Sequence, residues 1–324
     1  MKLLKLVPDN TNIDFVRLRG IAFGLTLLLS VIAVGLTAYK GLNFGVDFEG
    51  GLMIEERFAT QPPIDQVRSV IEQQNVGDAN IQPIGDGTTL SIRLPVQSGG
   101  DEGATNAAVK KVEAALAAKF PGATFLRYST VSGKVSGELV RNGAIAIVLA
   151  ILGIGLFAIF RFEWQFGVST IVAIVHDLLM TLGFFALTQF EFDLNIVAAV
   201  LTIIGYSIND KIVIDDRIRE NMRRYRKMEM REIINLSVNE TLPRTVMTSV
   251  TILLALGALL FLGGHVLRGF TAAMILGIFV GTYSSIYVSS SLLISLGLRA
   301  EPEGGAARPG RGGMENAERV GPRN

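Results

Sequence analysis

LNIVAAVLTIIGYSINDKIVI, residues 194–214, decides how this chain is read. It is apolar and long enough to cross a bilayer, which takes about 20 residues of helix, yet Tyr206, Asn209, Asp210 and Lys211 lie inside it. Ionisable groups in hydrocarbon are costly and persist mainly where they pair or line a pathway. Working outward, five more stretches approach the same length and apolarity: 21–39, 143–160, 166–188, 246–263 and 270–298. The composition agrees, with 49% apolar and 18% charged residues, the charges gathered between uncharged runs. The expected class is an α-helical polytopic membrane protein with six transmembrane helices. The first stretch follows basic residues as a signal peptide does, but it exceeds a usual h-region and no small-x-small cleavage site follows; it reads as an uncleaved span.

Sidedness follows from Lys and Arg in short loops. Lys2, Lys5, Arg17 and Arg19 precede the first span, and Arg217, Arg219, Arg223, Arg224, Arg226, Lys227 and Arg231 follow the fourth. The loops at Glu191 and Asp193, and at His265 with Arg268, are poor in basic residues. The expectation is a multi-pass protein of a bacterial plasma (inner) membrane with both termini cytoplasmic. Its parts are a cytoplasmic N-terminus (1–20), a first transmembrane helix (21–39), an extracytoplasmic, periplasmic domain (40–138), transmembrane helices two to six (139–299) and a disordered cytoplasmic tail (300–324).

Several chemistries are excluded. There is no cysteine, and the two histidines, His176 and His265, are far apart, so neither disulfides nor a His/Cys metal site is expected. A phosphate-binding loop is absent, since Tyr128 and Val135 stand where Gly and Ser or Thr belong around Gly133-Lys134. The reading is of a non-enzyme without cofactor or metal and without a nucleic-acid partner, in contact with membrane lipids.

Within 40–138 the pattern predicts strands at 51–58, 79–84, 88–94 and 123–131, and helices at 63–75 and 105–120. That βαββαβ order is the ferredoxin-like two-layer sandwich. It suits a stable spacer or a surface touching a polypeptide, and the sequence favours neither.

In the fourth span Thr202, Tyr206, Asn209 and Asp210 share one helical face. Thr170, Asp177, Thr181 and Thr188 do so in the third, beside His176, and Arg244, Thr248, Thr251 and Ala255 in the fifth. Each stripe is expected to face an interior. Asp210 lies sixteen residues beyond Leu194, about 24 Å along a helix, which places it in the cytoplasmic third of the membrane. Arg244 enters from that side after Pro243, read as a first-turn proline. An Asp210 to Arg244 pair follows: burial works against the carboxylate and a facing guanidinium works for it, so such a group can carry a proton. The competing reading is an ordinary helix end, with Asp210, Lys211, Asp215, Asp216 and Arg217 reaching water; for His176 and Asp177 it is a static hydrogen bond. Gly277 and Gly281 read as close-packing positions.

The run Gly205-Tyr206-Ser207-Ile208-Asn209-Asp210, continuing to Asp216-Arg217-Ile218-Arg219-Glu220-Asn221, resembles the fourth-span signature of the SecF family, the smaller subunits of SecDF protein-export complexes. Gly45-Val46-Asp47-Phe48-Glu49-Gly50-Gly51, Val135-Ser136-Gly137-Glu138-Leu139, Arg161-Phe162-Glu163-Trp164, His176-Asp177 and Gly281-Thr282-Tyr283-Ser284-Ser285-Ile286-Tyr287-Val288 are similar too. The likeness runs from Asn43 to Leu298. It implies half of a resistance-nodulation-division-type transporter whose other half is SecD, associated with the SecYEG channel, YajC and YidC, and acting on a translocating polypeptide after SecA. It implies protons as the coupling ion, with Asp210 and Arg244 as the coupling residues; the polar stripes make His176, Asp177, Tyr206, Asn209 and Thr248 candidates for a proton path. Lys211 and Asp215 depart from the pattern of many members, which carry uncharged residues there. One charge crossing 100 mV releases about 2.3 kcal/mol, enough to bias a domain motion. The rival readings are half of a lipid or drug exporter of that superfamily and a proton-independent scaffold of the channel.

Overall fold

A computed structural model describes residues 7–8, 11–97, 102–264 and 266–298. The expected tail at 300–324 lies outside the described residues, as do Lys2, Lys5 and His265.

Helix α1 (Arg19–Lys40) ends where Gly41 takes φ 71°, and a single turn, α2 (Val46–Glu49), leads into the α+β domain. The domain runs β1 (Gly51–Arg57), α3 (Ile64–Glu72), β2 (Asn80–Ile84), β3 (Thr89–Leu94), α4 (Glu102–Lys119) and β4 (Thr124–Val131). The predicted βαββαβ order is observed. The strands form one antiparallel sheet, β2-β3-β1-β4, with a register shift between Glu55 and Glu56. Alternation sorts the two faces. Leu52, Ile54, Leu90 and Ile92 pack on Val67, Ile71, Val112 and Leu116 of the helices, and each such side chain contributes about 1.5–3 kcal/mol by leaving water. Met53, Glu55 and Ser91 point the other way, toward the membrane bundle.

The bundle comprises α5 (Gly133–Arg161), α6 (Trp164–Thr188), α7 (Leu194–Arg224), α8 (Met230–Leu262) and α9 (Arg268–Tyr283), the last continuing through a π-helical turn (Ser284–Ser289) into α10 (Ser290–Ser295). With α1 these make six membrane-spanning helices among the described residues. Helices α6, α7 and α9 are central, whereas α1, α5 and α8 expose residues such as Ile21, Leu27, Leu149 and Leu254 as a lipid-facing surface does. Gly277 and Gly281 let α9 approach α7 closely, as expected. A Cβ on Gly277 would collide with Ile203, and one on Gly281 would come to 3.1 Å from Ser207 Cβ.

Helix boundaries differ from the hydropathy reading. The fifth helix begins at Met230, so Pro243 is interior and costs one backbone bond instead of opening the first turn. The fourth continues to Arg224, the second starts at Gly133, inside the boundary expected for the outer domain, and the π-turn interrupts the sixth. Hydropathy marks the apolar core of a helix only. Beyond it, α7 and α8 continue as a hairpin in which Ile218, Met222, Ile233, Ile234 and Val238 pack together and Arg217 pairs with Glu240 at 2.7 Å.

The α6–α7 corner anchors the domain to the bundle. Phe44 and Phe192 form a parallel bridge, with Phe192 N donating to Asn43 O (2.7 Å) and Gly45 N to Phe192 O (2.9 Å). Buried Arg93 of β3 donates to Phe44 O (2.5 Å) and Asn43 Oδ1 (2.9 Å), and Asn43 pairs reciprocally with Gln82 of β2.

Candidate functional site

Helix α7 carries the chemistry, because its sequence places polar groups on two sides. Asp193 caps it, accepting from Ile196 N (3.1 Å), and Asp47 accepts from Leu194 N (2.9 Å), so the helix starts at the domain anchor. The outer side presents Thr202, Gly205 and Asn209, all exposed, and Tyr206, half-buried. On α8 the neighbouring Arg244 and Thr251 are exposed and Thr248 is half-buried. The stripes of the fourth and fifth spans therefore line an uncovered flank of this bundle and not its interior. The reason is packing: α9 fills the opposite side of α7, and among the described residues no further helix covers this flank of α7 and α8.

Asp210 lies at the edge of that flank, 3% exposed, and its Oδ2 has no hydrogen-bond partner among the described residues. Asp210 is thus sheltered within the chain's own fold, whereas Asp216, six residues on, is exposed. Arg244 is close enough to act on the carboxyl through space, yet no ion pair joins them. Tyr206 Oη and Ser249 Oγ share a hydrogen bond of 2.7 Å that ties α7 to α8 beside the acid, and Thr248 Oγ1 donates within its own helix, to Thr245 O at 2.9 Å.

His176 and Asp177 stand elsewhere, in the interior. Asp177 Oδ1 meets His176 Nδ1 at 3.0 Å, while Oδ2 accepts from Ser207 Oγ (2.6 Å) and Ser284 Oγ (2.9 Å). Thr170 and Thr181 are buried with them, but Thr188 is exposed at the helix end. The structure thus separates the expected path residues into two groups. The sequence reading missed Ser207 and Ser284, and it had Lys211 and Asp215 only as departures from the family pattern or, in the competing reading, as helix-end charges. Both are 2% exposed and paired at 2.7 Å. The i, i+4, i+8 spacing of Ser207, Lys211 and Asp215, on the side of α7 facing α6 and α9, was the available signal.

Between the sheet and the bundle lies a cleft of about 700 Å³ lined by Asp47, Glu55, Arg127, Glu191, Asp193 and Arg268, among others. Burial pushes the Glu191 and Asp193 carboxyls upward, Arg93 opposing it at Glu191 and hydrogen bonds from Asn195 and Ile196 opposing it at Asp193. No group of three or more His, Cys, Asp or Glu able to hold a metal occurs among the described residues.

Residues 111–299 match the family described as protein export membrane protein SecD/SecF, C-terminal. The chain is 43% identical over 312 residues to the protein translocase subunit SecF of Rhodobacter capsulatus, covering 93% of each, and 40% identical over 320 residues to that of Cereibacter sphaeroides, covering 97% of this chain and 98% of the other. Among solved structures it resembles SecDF of Thermus thermophilus, a translocon-associated membrane protein, at 38% identity and a TM-score of 0.82 over 90% of this chain. It spans 40% of that longer SecDF chain. A TM-score of 0.65 relates it to SecDF in a super-membrane-facing form, at 37% identity over 89% of this chain and 39% of the other. A family match over residues 111–299, together with relatives 40% or more identical over more than nine-tenths of the chain, shows the family: the chain belongs to the SecD/SecF family of protein-export membrane proteins and, within it, to the SecF subunits of the protein translocase.

Proposed function

We propose that this chain, joined to a SecD-type partner in a bacterial inner membrane, uses the proton-motive force to assist polypeptide export through a SecYEG channel. In this reading SecA, YajC and YidC are its functional neighbours, both termini are cytoplasmic and the outer domain is periplasmic. The observation that carries it is Asp210: a buried carboxyl with an unpartnered oxygen, beside the exposed Arg244, on a flank too polar to face lipid. A second helical bundle over that flank would bury Thr202, Asn209, Arg244 and Thr251. It would also bring Arg244 from a through-space neighbour into direct contact. Protonation of Asp210 removes the charge that Arg244 feels, so the two α7–α8 arrangements gain different energies and the outer domain, anchored to the start of α7, moves with them. Tyr206, Asn209 and Thr248 line the approach to the acid.

The test is proton-gradient-dependent export in vesicles carrying the complex. Asp210→Asn and Arg244→Ala are expected to abolish the stimulation while leaving assembly with the partner intact. Unchanged stimulation in both would leave a scaffold, and a defect confined to accumulation of a small apolar compound would point to an exporter half.

A further inference from the structure

Where the α+β domain overhangs the bundle, the chain holds a cleft that the proton-driven reading does not use. Its volume, about 700 Å³, is within the range of sites that hold small ligands, and its walls are the sheet on one side and the nearest ends of α6, α7 and α9 on the other. Those helix ends mark one face of the membrane, so the cleft lies at the depth of the lipid headgroups on the domain's side.

The cleft has an acidic end and a basic end. Glu191 and Asp193 pack together on Gly45, where a Cβ would lie 2.8 Å from Glu191 Oε1 and 3.4 Å from Asp193 Cβ, and Asp47 reaches the start of α7 beside them. With Glu55 paired to Arg127, these three carboxyls face the one guanidinium of Arg93, whose Nε is 3.8 Å from Glu191 Oε1 and whose other nitrogens hold Phe44 O and Asn43 Oδ1. Burial, and then the carboxylates of Asp193, Asp47 and Glu55, keep the Glu191 carboxyl above its usual range in spite of Arg93. At the other end Arg268, the first residue of α9, is exposed and makes no ion pair among the described residues. It reaches the β2–β3 turn, where a Cβ on Gly85 would lie 3.5 Å from its Nη1. Arg93 is four residues from Thr89 at that turn, about 13 Å along β3, and Ser91 lies midway. Ser91 lines the cleft, is 2% exposed, and its Oγ has no hydrogen-bond partner among the described residues. An orphaned buried hydroxyl is costly, and this one stands between the acidic and the basic end. Val266 and Phe270, two residues to either side of Arg268, line the same cleft, and Phe261, Leu262 and Leu267, near them in sequence, are exposed.

This order of groups selects the occupant. A metal ion has no use for Arg268 or for an apolar rim, and a bare anion is repelled by three carboxylates. An extended peptide carries no fixed ammonium and anion next to apolar tails. We propose that the cleft seats the headgroup of a zwitterionic phospholipid bearing a primary amine, drawn from the leaflet on the domain's side. The ammonium lies among Glu191, Asp193 and Asp47, the phosphate accepts from Ser91 Oγ and the Arg268 guanidinium, and the acyl chains leave past Val266 and Phe270 into the hydrocarbon. Three N–H donors suit crowded carboxylates, and a planar fork suits a phosphate. The lipid is then a third contact beneath the domain, beside the Phe44–Phe192 bridge and the grip of Arg93, and the seating of the domain depends on membrane composition. The inference goes beyond the proposed function and does not rest on it.

The test uses the chain with its SecD-type partner in detergent, with lipid retention counted by native mass spectrometry and melting followed as lipid is added. Phosphatidylethanolamine is expected to be retained, and to raise the melting temperature, more than phosphatidylcholine, whose amine has no N–H, or phosphatidylglycerol, which has no amine. Arg268→Gln and Glu191→Gln are each expected to weaken retention about tenfold, the loss of one charge-assisted hydrogen bond. Glu191→Gln also deprives Arg93 of its acid, so Arg268→Gln, at an exposed and unpaired residue, keeps the test decisive if the other variant does not fold. Phosphatidylcholine or phosphatidylglycerol retained equally well overturns the proposal, and so does retention unchanged in Arg268→Gln, which would put the lipid elsewhere. Soluble O-phosphoethanolamine raising the melting temperature as much as the lipid does would assign the cleft to a free zwitterion and overturn the lipid. None of these outcomes bears on Asp210, whose test is gradient-dependent export.

Discussion

Asp177 gives the sharpest test of the bundle interior, because its replacements differ in how many donors they strand. Its carboxyl holds Ser207 Oγ, Ser284 Oγ and His176 Nδ1 at 2.6–3.0 Å, and it is 1% exposed. In Asp177→Asn the amide oxygen still accepts from both serines and the amide nitrogen faces the imidazole, so the loss is the difference between charge-assisted and neutral hydrogen bonds, about 1 kcal/mol. In Asp177→Leu all three lose their partner. Ser284 retains the Gly281 carbonyl at 3.1 Å, but Ser207 Oγ and His176 Nδ1 have no other hydrogen-bond partner among the described residues. Two stranded groups at about 1–3 kcal/mol each give a loss of about 2–6 kcal/mol. The assay is thermal unfolding of the purified protein in detergent, comparing both variants with the parent. A melting temperature for Asp177→Leu no lower than for Asp177→Asn would refute the claim that this carboxyl organises the interior.

Three other outcomes test other parts. Glu56 on β1 is 1% exposed with an unpartnered Oε2, and burial, then the Glu113 carboxylate, pushes its carboxyl from 4.5 up to about 7. The folded domain therefore binds a proton the unfolded chain releases: Glu56 costs nothing below about pH 4.5, and its ionisation progressively destabilises the fold up to about pH 7, reaching about 3 kcal/mol at 1.36 kcal/mol per pH unit. Glu56→Gln is expected to remove that slope from denaturation midpoints measured across this range. On the α7–α9 contact, Gly277→Val is expected to cost about 1–3 kcal/mol by overpacking against Ile203, whereas Gly205→Leu, whose Cβ meets nothing within 4 Å, is expected to leave this chain's melting unchanged and reduce co-purification with its partner.

The number of spans, the βαββαβ domain and the Gly277 contact were legible because each rests on a local period: apolar length, strand alternation, small residues four apart. Sidedness of the polar stripes was not. Thr202, Asn209 and Asp210 share a face on paper, but whether that face meets α9 or open space depends on how six helices pack, which no single helix states. The same holds for Lys211: beside Asp210 in sequence, it points about 100° away and finds Asp215 and Ser169 in the interior. Hydropathy counted both lysine and aspartate as signs of a helix leaving the membrane, because it weighs each charge singly and cannot see that the two neutralise each other. The serines escaped notice for a related reason, since a hydroxyl scores as mildly polar wherever it stands.

The bracket at the α6–α7 corner has a mechanical consequence. Backbone pairing of Phe44 with Phe192 and the grip of Arg93 on Asn43 and Phe44 leave little slack between helix and domain. Thirty-one residues of unbroken helix, about 46 Å, then run from this corner to Arg224, with Arg217 clasped to Glu240 near the far end. Such a piece behaves as a crankshaft: a small turn of the shaft at the level of Asp210 swings the weight bolted to its head, and a tug on that weight twists the shaft in return. Under the proposed function, force on an emerging polypeptide and the charge state of Asp210 would be two readings of one rotation.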